Sequence, residues 1–166
     1  MAYPLTEHAA DLLKAAGFQE LELIEEYYDA RSFGNQIAVF RIGGLVLRFI
    51  RDRGHDSVDL GSAAFPDRLH FLGDVRVAFG QTSMEDYVSS DIEVRSLEEQ
   101  LKLIFEDFER LEQAFSPERA PKTLALVEEV VKESARRNVE RLRKLGAAGV
   151  RLPPERKPGP KDGTPS

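Results

Sequence analysis

Residues 35–61 read NQIAVFRIGGLVLRFIRDRGHDSVDLG, three runs of alternating side chains broken at Gly43-Gly44 and Arg53-Gly54. Two-residue connections ending in glycine favour hairpins, because glycine accepts the positive φ such turns require. With Gly43-Gly44 as one turn, Ile42 faces Leu45, Phe40 faces Leu47 and Ala38 faces Phe49. With Arg53-Gly54 as the next, Phe49 faces Val58 and Leu47 faces Leu60. Both turns bring apolar side chains to the same face, which alternation alone does not impose. The opposite face is mixed: Ile37, Val39, Arg41, Val46, Arg48, Ile50, Asp52, His55, Ser57 and Asp59. On it Arg48 stands opposite Asp59, and Asp52 opposite His55. A one-residue slip would exchange the two sets, so the hydrophobic face selects this register.

Around this meander the chain alternates between helical and extended patterns. Residues 5–16 form an amphipathic helix with Leu5, Ala9, Leu12, Leu13 and Ala16 on its apolar side, Thr6 as N-cap and Gly17-Phe18 as C-cap. Residues 19–29 read as a first strand, joined to the meander by ARSFG. Its misfit is Glu25, which falls on the side of Leu21, Leu23 and Tyr27; a bulge or an edge position would let that carboxylate reach water. Residues 67–80 carry both a helical spacing (Leu69, Leu72, Val75, Phe79) and an alternating VRVAF, and are assigned to a helix that Gly73 weakens. Residues 81–95 read as a short turn or helix and a linking loop. Ser96-Leu97-Glu98-Glu99 is a capping box, followed by a stripe of Leu97, Leu101, Ile104, Phe108, Leu111 and Phe115. Ser116-Pro117 and Pro121 interrupt it. A second long helix runs from about Thr123, with Leu124, Val127, Val131, Ala135, Val139 and Leu142 on one side. The expected fold is α+β: an N-terminal helix, a meander sheet of about four antiparallel strands, and a C-terminal helical hairpin packed on it. Residues 1–145 make one domain, and the proline-rich residues 146–166 are expected to be disordered.

The 166 residues carry a formal charge of −6, and the last 21 contribute +2, which leaves −8 on residues 1–145. An acidic body opposes a broad phosphate-binding surface, so no nucleic-acid partner is expected, and it suits a basic protein. The absence of cysteine excludes disulfides and thiolate chemistry. No apolar run spans a bilayer and the N-terminus lacks signal-peptide character, so no membrane association is expected and the cytoplasm is the expected location.

Neither the histidines nor the serines form a recognisable catalytic pattern. His8, His55 and His70 have no second ligand at metal-binding spacing, Gly43-Gly44 joins two strands rather than opening onto a helix, and Ser57 lacks a base. The densest polar group is Arg48, Asp52, His55 and Asp59, with Asp56 beside them. Aspartate and glycine gather at hairpin ends for backbone reasons, which explains most of it. No enzymatic activity, metal or other cofactor is therefore expected. Glu22, Glu25, Glu26, Tyr27, Tyr28 and Asp29, with neighbouring Ile37 and Val39, form a more suggestive contact patch. Tyrosine supplies area with a polar tip, and carboxylates steer a basic partner. The same charges on an edge strand would also prevent edge-to-edge pairing.

The segment LVLRFIRDRG at 45–54, with VDLG at 58–61, resembles a stretch found in small bacterial proteins, some of them similar to immunity proteins encoded beside polymorphic or contact-dependent toxins. The likeness extends from the opening helix to Phe79. It implies a non-enzymatic protein that binds one toxin and blocks it, and it carries over no catalytic residue. Beside this expectation of an acidic protein-binding module stand two alternatives. One is a homodimeric structural or assembly subunit that shares the stripes of its long helices between copies. The other is a small hydrolase-like enzyme built on Asp52, His55 and Asp59.

Overall fold

The computed structural model describes residues 2–89 and 95–147. Helix α1 (Pro4–Ala15) precedes four eight-residue strands, β1 (Glu22–Asp29), β2 (Asn35–Ile42), β3 (Leu45–Asp52) and β4 (His55–Ser62). A two-residue strand β5 (His70–Phe71) leads into α2 (Leu72–Ala78), and α3 (Met84–Ser89), α4 (Leu97–Glu106), α5 (Phe108–Ala114) and α6 (Ala120–Ala147) follow. The strands form one antiparallel sheet in sequence order, β1-β2-β3-β4-β5. The fold is α+β, as the patterning implies, with helices packed on the sheet.

The register is the one the two turns dictate. Phe40 pairs with Leu47, Ala38 with Phe49, Phe49 with Val58 and Leu47 with Leu60. Ala38, Phe40, Ile42, Leu45, Leu47, Phe49, Val58 and Leu60 are all buried. They join one core with Leu5, Ala9 and Leu13 of α1, Leu72 and Val75 of α2, Leu97, Leu101 and Ile104 of α4, and Leu124 and Val127 of α6. This inner face is therefore the helix-covered face. The turn at Gly43-Gly44 is also a docking point: Gly43 has φ +55 and the Gly44 amide donates to Glu112 Oε1 at 3.0 Å. A Cβ on Gly43 would run into that carboxylate, so glycine is needed there for space as well as for φ.

Several local expectations change. Thr6 does not cap α1. The helix starts at Pro4, which suits the first turn, and the buried Gln36 side chain of β2 accepts the Leu5 amide at 2.9 Å. The sheet thus caps the helix. Pro121 opens α6 instead of interrupting it, because a proline in the first turn costs no helical hydrogen bond. The stripe expected to run unbroken from residue 96 to 115 is divided at Asp107 (φ −124), whose carboxylate accepts from Gln81 Nε2 at 2.5 Å. The capping box at Ser96 and Glu99 forms in both directions. Within residues 67–80, helix holds from Leu72, while His70 and Phe71 make the fifth strand. Most of the proline-rich tail lies outside the described residues, and Gly146 and Ala147 belong to α6. No described helix is long and apolar enough to cross a membrane.

Candidate functional site

Strand β1 is the sheet's first edge, and seven of its eight residues are exposed. The misfit at Glu25 has a backbone cause: the pairing shifts between Leu23 and Glu25, so Ile24 is the extra residue of a bulge. Before it Leu23 lies across from Phe40 on the inner face, and after it Glu25 lies across from Val39 on the outer face. The six acidic and aromatic residues expected to act together are divided by strand alternation, and the shift decides which of them face outward. Glu22, Glu25 and Tyr27 stand on the outer face, in rows with Arg41, Val39 and Ile37. Glu26 and Tyr28 turn toward α1, where Glu26 meets the Tyr3 amide at 3.5 Å and the Tyr28 ring lies 5.3 Å from that of Tyr3. Asp29 ends the strand, and its side chain serves the turn that follows. The Ser32 hydroxyl and the Arg31 amide hold its carboxyl below the usual range, and the Arg31 amide donates at 2.8 Å.

The outer face continues from Tyr27 through Ile37 and Ile50 to Ser57, and from Glu25 through Val39 and Arg48 to Asp59. Val39 and Val46 are buried yet belong to no part of the main core, and Arg68 and Leu69 lie over Gly61, the partner of Val46. Tyr27 is 49% exposed. This surface is an apolar strip with an acidic margin along β1.

The polar cluster of Arg48, Asp52, His55 and Asp59 also separates. Arg48 Nε donates to the buried Asp59 carboxylate at 3.0 Å, which makes a cross-strand ion pair on the outer face. Asp52 and His55 are paired at the exposed hairpin tip, four residue pairs along the ladder, with Ile50 and Ser57 between them on the same face. Asp56 lies on the other face, where Arg51 grips it at 2.7 and 2.8 Å. A single acid-base site from Asp52, His55 and Asp59 is not assembled. No group of three or more potential metal ligands occurs among the described residues.

Two arrangements escaped sequence reasoning. The first is Gln100 on α4, whose side chain accepts the Val58 amide at 3.1 Å and donates to the Asp56 carbonyl at 2.9 Å. Val58 and Asp56 lie on β4 beyond the end of β5, so Gln100 stands in for the strand that is missing there. The signal was present: Gln100 occupies a core position of the Leu97–Leu101–Ile104 stripe, where an apolar residue belongs. The second is Asp74, buried on α2. Burial raises its pKa, against the opposing effect of the Tyr87 hydroxyl that donates to it. Burial and the nearby Asp74 charge push the Tyr87 hydroxyl well above its ordinary value, so it keeps its proton as donor. The Tyr87 ring rests on Gly73, where a Cβ would collide with it, which is why a glycine interrupts that helix.

Asp74 makes stability depend on pH in a defined direction. Its folded-state pKa lies above the ordinary 3.8, so its contribution is whole below that pH and is lost as pH rises through the folded-state value. Asp74→Asn mimics the protonated carboxyl and keeps an acceptor for Tyr87. In urea titrations the variant will be more stable than the parent at pH 7, and the gap will close on acidification. A gap that stays constant, or a more stable parent at pH 7, would place the charge of Asp74 among favourable partners instead. No family model matches the chain, and no curated protein or solved structure matches it.

Proposed function

We propose that this chain is a non-enzymatic protein-binding domain of the cytoplasm, which holds a basic partner along β1 and the outer face of the sheet. The observation that carries it is the unequal finish of the sheet's two edges. The β4 edge is closed by β5 and by Gln100. Along β1, the described backbone hydrogen bonds from outside the sheet stop at the Asp29 carbonyl, at the strand's last residue, where the Ser32 amide of the turn donates. An open edge of eight residues is a template for an extended segment of another protein, with side chains on alternate positions reading the neighbouring surface. Glu22, Glu25 and Glu26 repel another copy of the same edge and attract a basic strand. Tyr27, Ile37 and Ile50 offer that strand an apolar contact. In keeping with the likeness to immunity proteins, the partner is a toxin whose active surface the domain covers.

A peptide of alternating lysine and valine, long enough to span the ~26 Å of β1, is a direct probe. In stopped-flow binding, Glu22→Ala with Glu25→Ala will slow association about tenfold and flatten its salt dependence. Tyr27→Ala will leave the association rate nearly unchanged and speed dissociation about tenfold. Asp29 and Tyr28 are poor choices for this test, because one holds a turn and the other packs on Tyr3. Unchanged kinetics in both variants would remove β1 as the docking surface.

A further inference from the structure

The direction in which each β1 backbone group points follows from the sealed edge. The Val58 amide and the Asp56 carbonyl turn away from β3 to Gln100. Backbone groups of an antiparallel ladder alternate in direction, so Ser57 and Asp59 bond to Ile50 and Arg48 of β3. By the same alternation Phe49 and Leu47 bond to Ala38 and Phe40, and Ile37 and Val39 bond to Tyr27 and Glu25. Glu26 and Tyr28 are left with their N–H and C=O groups pointing out of the sheet. The side chains carry a second order. After the bulge at Ile24 the edge reads Glu25-Glu26-Tyr27-Tyr28. Alternation puts Glu25 and Tyr27 on the outer face and Glu26 and Tyr28 beside α1. Both faces thus change from acidic to aromatic at the same point along the strand. Glu25 and Glu26 form no ion pair among the described residues, whereas Glu22, before the bulge, lies 3.9 Å from Arg41. Tyr28 keeps 41% of its surface exposed although its ring meets Tyr3.

We infer that β1 takes an extended, antiparallel segment of its partner in which two apolar residues precede two basic ones. The inference rests on β1 being the docking surface, and it names the side-chain order that this surface selects. An antiparallel segment runs from Tyr28 toward Glu25. Its apolar pair then lies beside Tyr28 and Tyr27, and its basic pair beside Glu26 and Glu25. Its backbone bonds to Glu26 and Tyr28, so the pairs at Glu25 and Tyr27 are the close ones, with Cα atoms about 4.5 Å apart. These close pairs stand on the outer face, where Ile37 and Ile50 continue the row from Tyr27. The bulge at one end and the Asp29–Ser32 turn at the other confine the regular stretch to these residues. A segment that alternates lysine and valine satisfies only half of the four positions in either phase. The reverse order, basic before apolar, fits only a parallel strand, whose slanted bonds are weaker per residue.

Three capped peptides of one composition test this order by titration calorimetry on the full-length protein. They are Thr-Val-Val-Lys-Lys-Thr, its reverse Thr-Lys-Lys-Val-Val-Thr, and the alternating Thr-Lys-Val-Lys-Val-Thr. The first will bind about tenfold more tightly than either of the others. Glu25→Lys will weaken that binding about tenfold; the position is exposed, so the fold is kept, which circular dichroism checks. Thr-Val-Val-Lys-Glu-Thr, with its acid beside position 25, will restore binding to this variant. Thr-Val-Val-Glu-Lys-Thr, with its acid beside Glu26, will not. No advantage of the first peptide over its isomers, or equal rescue by both acidic peptides, would overturn the inference. Its failure is separable from that of the preceding reading. If the three isomers bind alike and Tyr27→Ala weakens them all, β1 is the docking surface and only the order is wrong; if none binds, β1 itself is.

Discussion

Truncating Phe49 to alanine will cost about 3–5 kcal/mol, a large part of the roughly 5–15 kcal/mol that holds a domain of this size together. Phe49 is completely buried, stands between Ala38 and Val58 in the sheet, and meets Phe40 edge-on with ring centroids 5.9 Å apart. Helices close over that face, so the lost volume cannot be refilled by a small shift of one neighbour. Its sequence neighbour gives the control. Ile50 is on the outer face and only half-buried, so Ile50→Ala will cost about 1 kcal/mol. Urea titrations of the two variants will thus differ severalfold in the stability lost. Equal losses would mean that both faces of the sheet are covered, which leaves no outer face to bind anything.

Gln100→Met keeps the length of the side chain and removes both hydrogen bonds to β4. The Val58 amide and the Asp56 carbonyl then lose their partner at about 1–3 kcal/mol each, to the extent that water stays out. Local exchange should report this before global stability does. The Val58 amide, slow in the parent, will exchange faster in the variant by more than the change in global stability explains. The variant also has two open edges, so it will aggregate more readily on heating. A variant with unaltered Val58 exchange would show that β5 and the helices seal the edge without Gln100.

The central hairpins were legible because two independent signals agreed, turn glycines and apolar alternation, and only one register satisfied both. The oddity at Glu25 was likewise a true signal, since an acid on the wrong side of an alternating run marks a change of phase. What it hid was the consequence: alternation already sets Glu25 and Tyr27 opposite Glu26 and Tyr28, and the bulge at Ile24 turns Glu25 and Tyr27 away from the core and brings Glu22 to their face. β5 was illegible because two residues hold no period; its pairing with Asp59 and Leu60 is made by the tertiary fold. The division at Asp107 involves neither glycine nor proline, and the apolar spacing runs through it. The same holds for Gln100 and for Tyr87 with Asp74, whose partners lie far away along the chain. Each left a small mark, a polar residue in an apolar stripe and a glycine inside a helix, that only the partner explains. The stripe of the last helix is buried at Leu124 and Val127 and half exposed at Val139 and Leu142, a difference that periodicity alone does not show.

Hydrogen exchange of the backbone amides, in the free protein and with the lysine-valine peptide bound, tests most directly the claim that one sheet edge is sealed and the other open for a partner. In the free protein, the Val58 amide will exchange slowly and the outward-pointing amides of β1, alternate residues between Glu22 and Asp29, will exchange fast. On binding, protection will appear in those β1 amides and leave β4 unchanged. Slow exchange throughout β1 in the free monomer, or protection by the peptide that falls elsewhere and spares β1, would contradict it.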